Sequence, residues 1–136
     1  MSQREIVLCE PVRTAIGAFN GALKGVPATE LGAAAIRETV RRSGVDVGKV
    51  ESVVFGNVIQ AGNRMNPARQ AAVNGGLPVS VPALTVNRVC GSGAQAIVSA
   101  ANEIGAGFVQ LAVRVLLAAS VGRTLRPSAS VVVLHK

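Results

Sequence analysis

The chain has 136 residues, about one domain's worth, and is 49% apolar but only 15% charged, which excludes a disordered chain. Aromatics are 2% against fifteen glycines, so the core is expected to be built from Ala, Val, Leu and Ile with close backbone packing. The net charge is +7, but all seven acids lie before residue 104, while Arg114, Arg123, Arg126 and Lys136 follow with no acid; no basic cluster is interleaved with aromatics, which excludes a typical nucleic-acid binder.

Glu5–Val12 holds "IVLCEPV", a short β-branched run closed by Pro11, and reads as a mostly buried strand. Residues 17–28 are broken by three glycines and a proline and read as a loop. Thr29 is the expected N-cap of a helix, with Glu30 in its first turn. Leu31, Ala34, Ala35, Thr39 and Val40 trace its apolar face, Arg41 and Arg42 suit its last turn, and Gly44 is the stop. Val50–Val58 is the second strand. Asn66 and Pro67 cap and open a second helix that stops at Gly75 and Gly76.

"ALTVNRVC", Ala83 to Cys90, is the third strand, and a helix from about Ser92 to Ile104 follows. Ala94, Ile97, Val98, Ala101 and Ile104 form its apolar set, with Ala96 and Ala100 filling the other side. A helix this small and apolar is expected to be buried on more than one face. "VQLAVRVLLAAS", from Val109, is a fourth apolar run. The order β-α-β-α-β-α-β predicts an α/β fold, a mostly parallel sheet with helices on its faces.

Two cysteines and one histidine with no C-x-x-C leave no expected metal site. Cys9 and Cys90 have the number for one disulfide, but free thiols in a reducing cytoplasm are expected, because Ser2–Glu5 carries no apolar leader. No apolar run approaches the ~18 residues of a membrane span.

Cys90 stands where a strand gives way to a helix. Buried filler is the ordinary role of such a cysteine, and Cys9, between Leu8 and Glu10, is assigned that role. At the carboxyl edge of a sheet, however, a thiol at a helix N-terminus meets N–H groups and the positive end of the dipole. The same N–H groups suit an oxyanion formed by thiolate attack on a carbonyl, and Gly91 and Gly93 leave room for a substrate. "GSGAQA", Gly91 to Ala96, also fits G-x-G-x-x-A, the dinucleotide fingerprint. That pattern needs an acid about 20 residues on. No acid follows Glu103, and the strand is third in the chain.

"VNRVCGSGAQAI" resembles the nucleophile segment of the thiolases, the acetyl-CoA acyltransferases. "PVRTAIGAFNGALKGVPATELGAAAI" is similar to the family's opening strand, loop and helix, and "GNVIQAGNRMNPARQAAVNGGLPVSVPALTVNRVCGSG" to the stretch before the nucleophile. The likeness covers roughly residues 4–113. It implies Cys90 as the catalytic nucleophile, acyl-CoA and CoA as substrates, no further cofactor, and a homo-oligomeric or self-associating protein. It also implies that the helix after Cys90 lies between two sheets, so that Ala96 and Ala100 await a second layer.

Thiolases resemble a pair of related α/β halves, and this chain matches the beginning of the first. The family's Gly-His-Pro histidine, which activates the nucleophile, and its Cys-x-Gly acid/base are absent from these 136 residues. Cys9 lies in the wrong motif for the second cysteine, and His135, between Leu134 and Lys136, is not assigned the histidine's role. After "AGFVQLAV" the family continues with a Gly-Gly turn and Met-Glu, whereas this chain reads "RVLLAASVGRTLRPSASVVVLHK". Residues 1–113 are therefore expected to be a thiolase-like half-domain. Residues 114–136 are a divergent tail, through a reading-frame shift or truncation near Val113 or through divergence of a paralogue.

Overall fold

A computed structural model describes residues 5–118 and 128–135. In chain order the elements are β1 (Val7–Arg13), α1 (Ala28–Ser43), a single 3-10 turn at Val47–Lys49, β2 (Ser52–Asn57), α2 (Pro67–Asn74), β3 (Ala83–Val86), α3 (Ser92–Ala106), β4 (Leu111–Ala118) and β5 (Ser128–His135). Of the Ser2–Glu5 stretch read as carrying no apolar leader, residues 2–4 lie outside the described residues, as do Arg123, Arg126 and Lys136 of the tail.

The sheet order is β1-β5-β4-β2-β3. β2 runs parallel to β3, with Val54 beside Leu84, and parallel to β4, with Val54 beside Arg114. β5 is antiparallel to β4, from Leu111 beside His135 to Ala118 beside Ser128, and antiparallel to β1. The α/β class and the helix-flanked parallel strands are those expected from the sequence. The fifth strand is an addition: tail residues 128–135 lie between β1 and β4.

Every residue of β2 is buried, as an inner strand covered on both faces requires. Val53 and Phe55 face α1 and α2 and pack with Val12, Leu31, Ile36, Ala68, Ala71 and Val113. Val54 faces the other way, onto Ala96, Ala100 and Ile104 of α3 and Ala112 of β4. The molecule is thus layered α/β/α around β2. Each fully buried side chain such as Phe55 or Ile104 contributes about 1.5–3 kcal/mol of transfer free energy.

Expectations for four elements, β1, α1, β3 and α3, are corrected. β1 is not mostly buried: Cys9 and Val12 pack towards α1, but Leu8 is 55% exposed. It is an edge strand, and helix cover reaches only one of its faces. It also runs past Pro11, because a bulge between Cys9 and Val12 accommodates the proline. Glu10 takes φ 48° there, and the buried Thr39 hydroxyl donates to its carbonyl at 3.0 Å.

α1 begins at Ala28 with Pro27 as its N-cap and no side-chain cap, and Thr29 is buried inside the first turn. Ala34 points outward, while Gly32, Ala33 and Ile36 join the buried face. The buried arc is wider than a single stripe because α1 packs against α2 as well as the sheet. Its end is as expected, with Gly44 left-handed at φ 63°.

The third strand stops at Val86, four residues before Cys90. The face of α3 differs in part from that expected: Ile104 is buried against the sheet and Ile97 packs against the same cluster, as expected, but the rest of the buried row is Ala96 and Ala100 instead of Ala94 and Val98. Ala96, Ala100 and Ile104 face the sheet, whereas Ala94 is exposed and Val98 is 50% exposed. The small residues of the row Ser92, Ala96 and Ala100 let the helix approach β2 closely, which branched Val98 does not.

Candidate active site

β3 ends in a turn because its next residues supply side-chain hydrogen bonds in place of ladder bonds. The Asn87 amide donates to the Val58 carbonyl at 2.7 Å, tying the turn to the end of β2. Its Oδ1 accepts from the Val89 N–H at 3.0 Å. The Gly91 N–H donates to the Arg88 carbonyl at 2.9 Å, and the Ser92 N–H to the Val89 carbonyl at 3.0 Å. The fully buried Ser92 hydroxyl accepts from the Arg88 N–H at 2.9 Å and donates to the Val89 carbonyl at 2.6 Å. Val89 sits at φ 47°.

Cys90 lies inside this turn, one residue before the N-cap Gly91, and is exposed. Arg88 donates to Gln95 Oε1 at 2.8 Å, and Gln95 donates to Ser99 Oγ at 3.1 Å, so a polar row runs from the turn along α3. The first helical turn presses on β2 at Gly56. Beneath the same turn the buried Arg114 guanidinium reaches the Gly93 carbonyl at 3.5 Å, and its Nε has no partner among the described residues. Burial lowers the pKa of Arg114, because it strips hydration from the guanidinium charge.

The other sequence candidates lie elsewhere. Cys9 is half-buried on β1, at the opposite edge of the sheet from β3, and both thiols are free, so the disulfide option is closed. His135 pairs with Val7 and Leu111, the first residues of β1 and β4. That is the amino end of the parallel strands, whereas Cys90 follows the carboxyl end of β3. Among the described residues no group of three His, Cys, Asp or Glu could hold a metal, and no helix is long and apolar enough to cross a membrane. Asn87, Ser92 and Gly56 escaped the sequence reading, although polar residues flanking a cysteine at strand-to-helix spacing are a turn signal.

The family described as "Thiolase, N-terminal domain" matches residues 6–115. The chain belongs to the thiolase N-terminal domain family. An acetyl-CoA acetyltransferase of Pseudomonas aeruginosa is 48% identical over 110 residues, 81% of this chain and 28% of that protein. The beta-ketothiolase BktB of Cupriavidus necator is 55% identical over 111 residues, again 81% and 28%. A probable acetyl-CoA acyltransferase of Staphylococcus epidermidis is 52% identical over 102 residues, 75% and 26%. The chain thus spans about a quarter of the length of the curated thiolase relatives it matches. The family match takes in the turn at Cys90 and reaches Val115 of β4, leaving β5 beyond it.

Proposed function

We propose that Cys90 is an acyl-accepting nucleophile for acyl-CoA thioesters. The observation that carries this reading is an exposed thiol on a hydrogen-bonded turn at the head of α3, in a chain of thiolase ancestry. The Cys90 sulfur attacks the thioester carbonyl, and the oxyanion meets N–H groups of the first helical turn. The carbon–sulfur bond to CoA breaks, CoA leaves with the proton lost by Cys90, and an acyl-cysteine thioester remains. One thioester replaces another, so the intermediate is close in energy to its substrate. A second acyl-CoA, or CoA in the reverse direction, then takes the acyl group. The reading requires no cofactor beyond its CoA substrates, and the free Cys9 and Cys90 are consistent with a reducing compartment such as the cytoplasm.

These 136 residues alone are proposed to stop at the acyl-cysteine. They contain no Gly-His-Pro and no Cys-x-Gly segment. A missing general acid or base typically costs about 10²–10⁴-fold. Steady CoA release from acetyl-CoA by this chain, abolished in Cys90→Ser, would contradict that limit.

A second reading, a non-catalytic fragment acting at most in binding or self-association, is favoured by exposed apolar surface. Val98 and Ala94 lie open on α3, and Leu84 is exposed on the edge strand β3. An unpaired strand edge beside exposed apolar side chains is an association surface. Light scattering after size exclusion at micromolar concentration is expected to find oligomers. A monodisperse monomer would remove the self-association on which this reading rests.

A further inference from the structure

Val89 is the least comfortable residue of the turn. A β-branched side chain at positive φ is a true conformational outlier. Such a conformation persists only where its surroundings over-determine it. Packing does not do so here, because Val89 is 64% exposed. Three hydrogen-bonding groups around it do. Asn87 Oδ1 takes its N–H, and the Ser92 hydroxyl and Ser92 N–H both donate to its carbonyl. Ser92 also accepts from the preceding Arg88 N–H, and Asn87 is itself anchored on Val58. Ser92 is wholly buried, so water does not compete for its hydroxyl.

We propose that Ser92 and Asn87 are positioning residues that hold Cys90 at the head of α3 by clamping Val89 in the left-handed region. Cys90 is the next residue, so returning Val89 to an ordinary φ rotates the chain that carries the thiol and withdraws it from the first turn. Neither side chain takes part in bond making. The consequence for acyl transfer rests on the function proposed above, whereas the clamp itself does not.

The test is a rescue experiment on the full 136-residue chain. Its variants are Ser92→Ala, Asn87→Ala, Val89→Gly and the two doubles that add Val89→Gly. Glycine occupies positive φ without penalty, so it removes the need for the clamp. The readouts are the thermal midpoint and the rate of iodoacetamide labelling of Cys90 relative to Cys9 in the same molecules. Ser92→Ala and Asn87→Ala are each expected to lower the midpoint and to reduce the Cys90-to-Cys9 ratio several-fold. Val89→Gly is expected to restore most of both losses in the doubles. A merely structural serine would not be rescued by a glycine three residues earlier, so additive losses overturn the proposal. Should Ser92→Ala fail to fold, the exposed Asn87 and its double decide the matter by the same criterion. Acetylation by acetyl-CoA, followed in parallel, separates the two claims. If the unsubstituted chain is not acetylated on Cys90, the acyl-transfer reading falls while the rescue pattern still judges the clamp.

Discussion

Gly56 of β2 lies directly against Ser92 of α3: a Cβ at Gly56 would stand 2.5 Å from the Ser92 carbonyl oxygen and 2.9 Å from the Gly93 nitrogen. These are backbone atoms, which cannot swing aside as a flexible side chain would. The fit of the helix head onto the sheet therefore depends on a hydrogen atom at position 56. Gly56→Ala is expected to destabilise the chain by about 1–3 kcal/mol, the usual cost of overpacking. Urea unfolding measures it. An unchanged midpoint would mean that α3 does not seat on β2 at this point.

This contact shows where sequence reading ends. The cap and stop of α2 are legible because Asn66, Pro67 and Gly75 act locally, and the same residues bound the helix in the structure. Cys90 is legible because its neighbours form a long and specific pattern. The face of α3 is not legible, since Ala94 and Ala96 are chemically identical and only the shape of β2 around Gly56 distinguishes them. The strain at Val89 is equally hidden: it arises from hydrogen bonds of Asn87 and Ser92, not from the preference of valine. The bulge of β1 is hidden for a related reason, because Pro11 signals a stop unless Thr39 is known to hold the carbonyl of Glu10.

Arg114 provides a second prediction. It is only 9% exposed, lies opposite Val54, and leaves Nε without a partner among the described residues. A buried and poorly paired cation is a cost that an apolar side chain of similar length avoids. Arg114→Met is expected to raise stability by about 1–3 kcal/mol. The shift of the urea midpoint at constant slope checks it. A lower midpoint would show that the guanidinium has a stabilising partner.

Glu38 on α1 provides the pH dependence. It accepts both nitrogens of the Arg41 fork at 2.8 Å and Arg42 Nε at 2.6 Å. These hydrogen bonds, that of Arg41 foremost, lower its pKa from 4.5 to about 2. A depressed carboxylate pKa stabilises the fold above the unfolded value and loses that contribution as pH falls through the folded one. The stability difference between the parent chain and Glu38→Gln is therefore expected at neutral pH and should fade between about pH 4.5 and about pH 2. The group is exposed, so the difference is small and should also shrink in high salt. A difference constant across that pH range would contradict the assignment.

Incubation of the 136-residue chain with acetyl-CoA, followed by peptide mapping in a mass spectrometer, is expected to place one acetyl group on the Cys90 peptide. That group should be released by neutral hydroxylamine, as a thioester is, and should be absent in Cys90→Ser. Cys9 should remain unmodified. Acetylation confined to lysines, or shared equally by Cys9 and Cys90, would contradict the assignment of Cys90 as the acyl-accepting nucleophile.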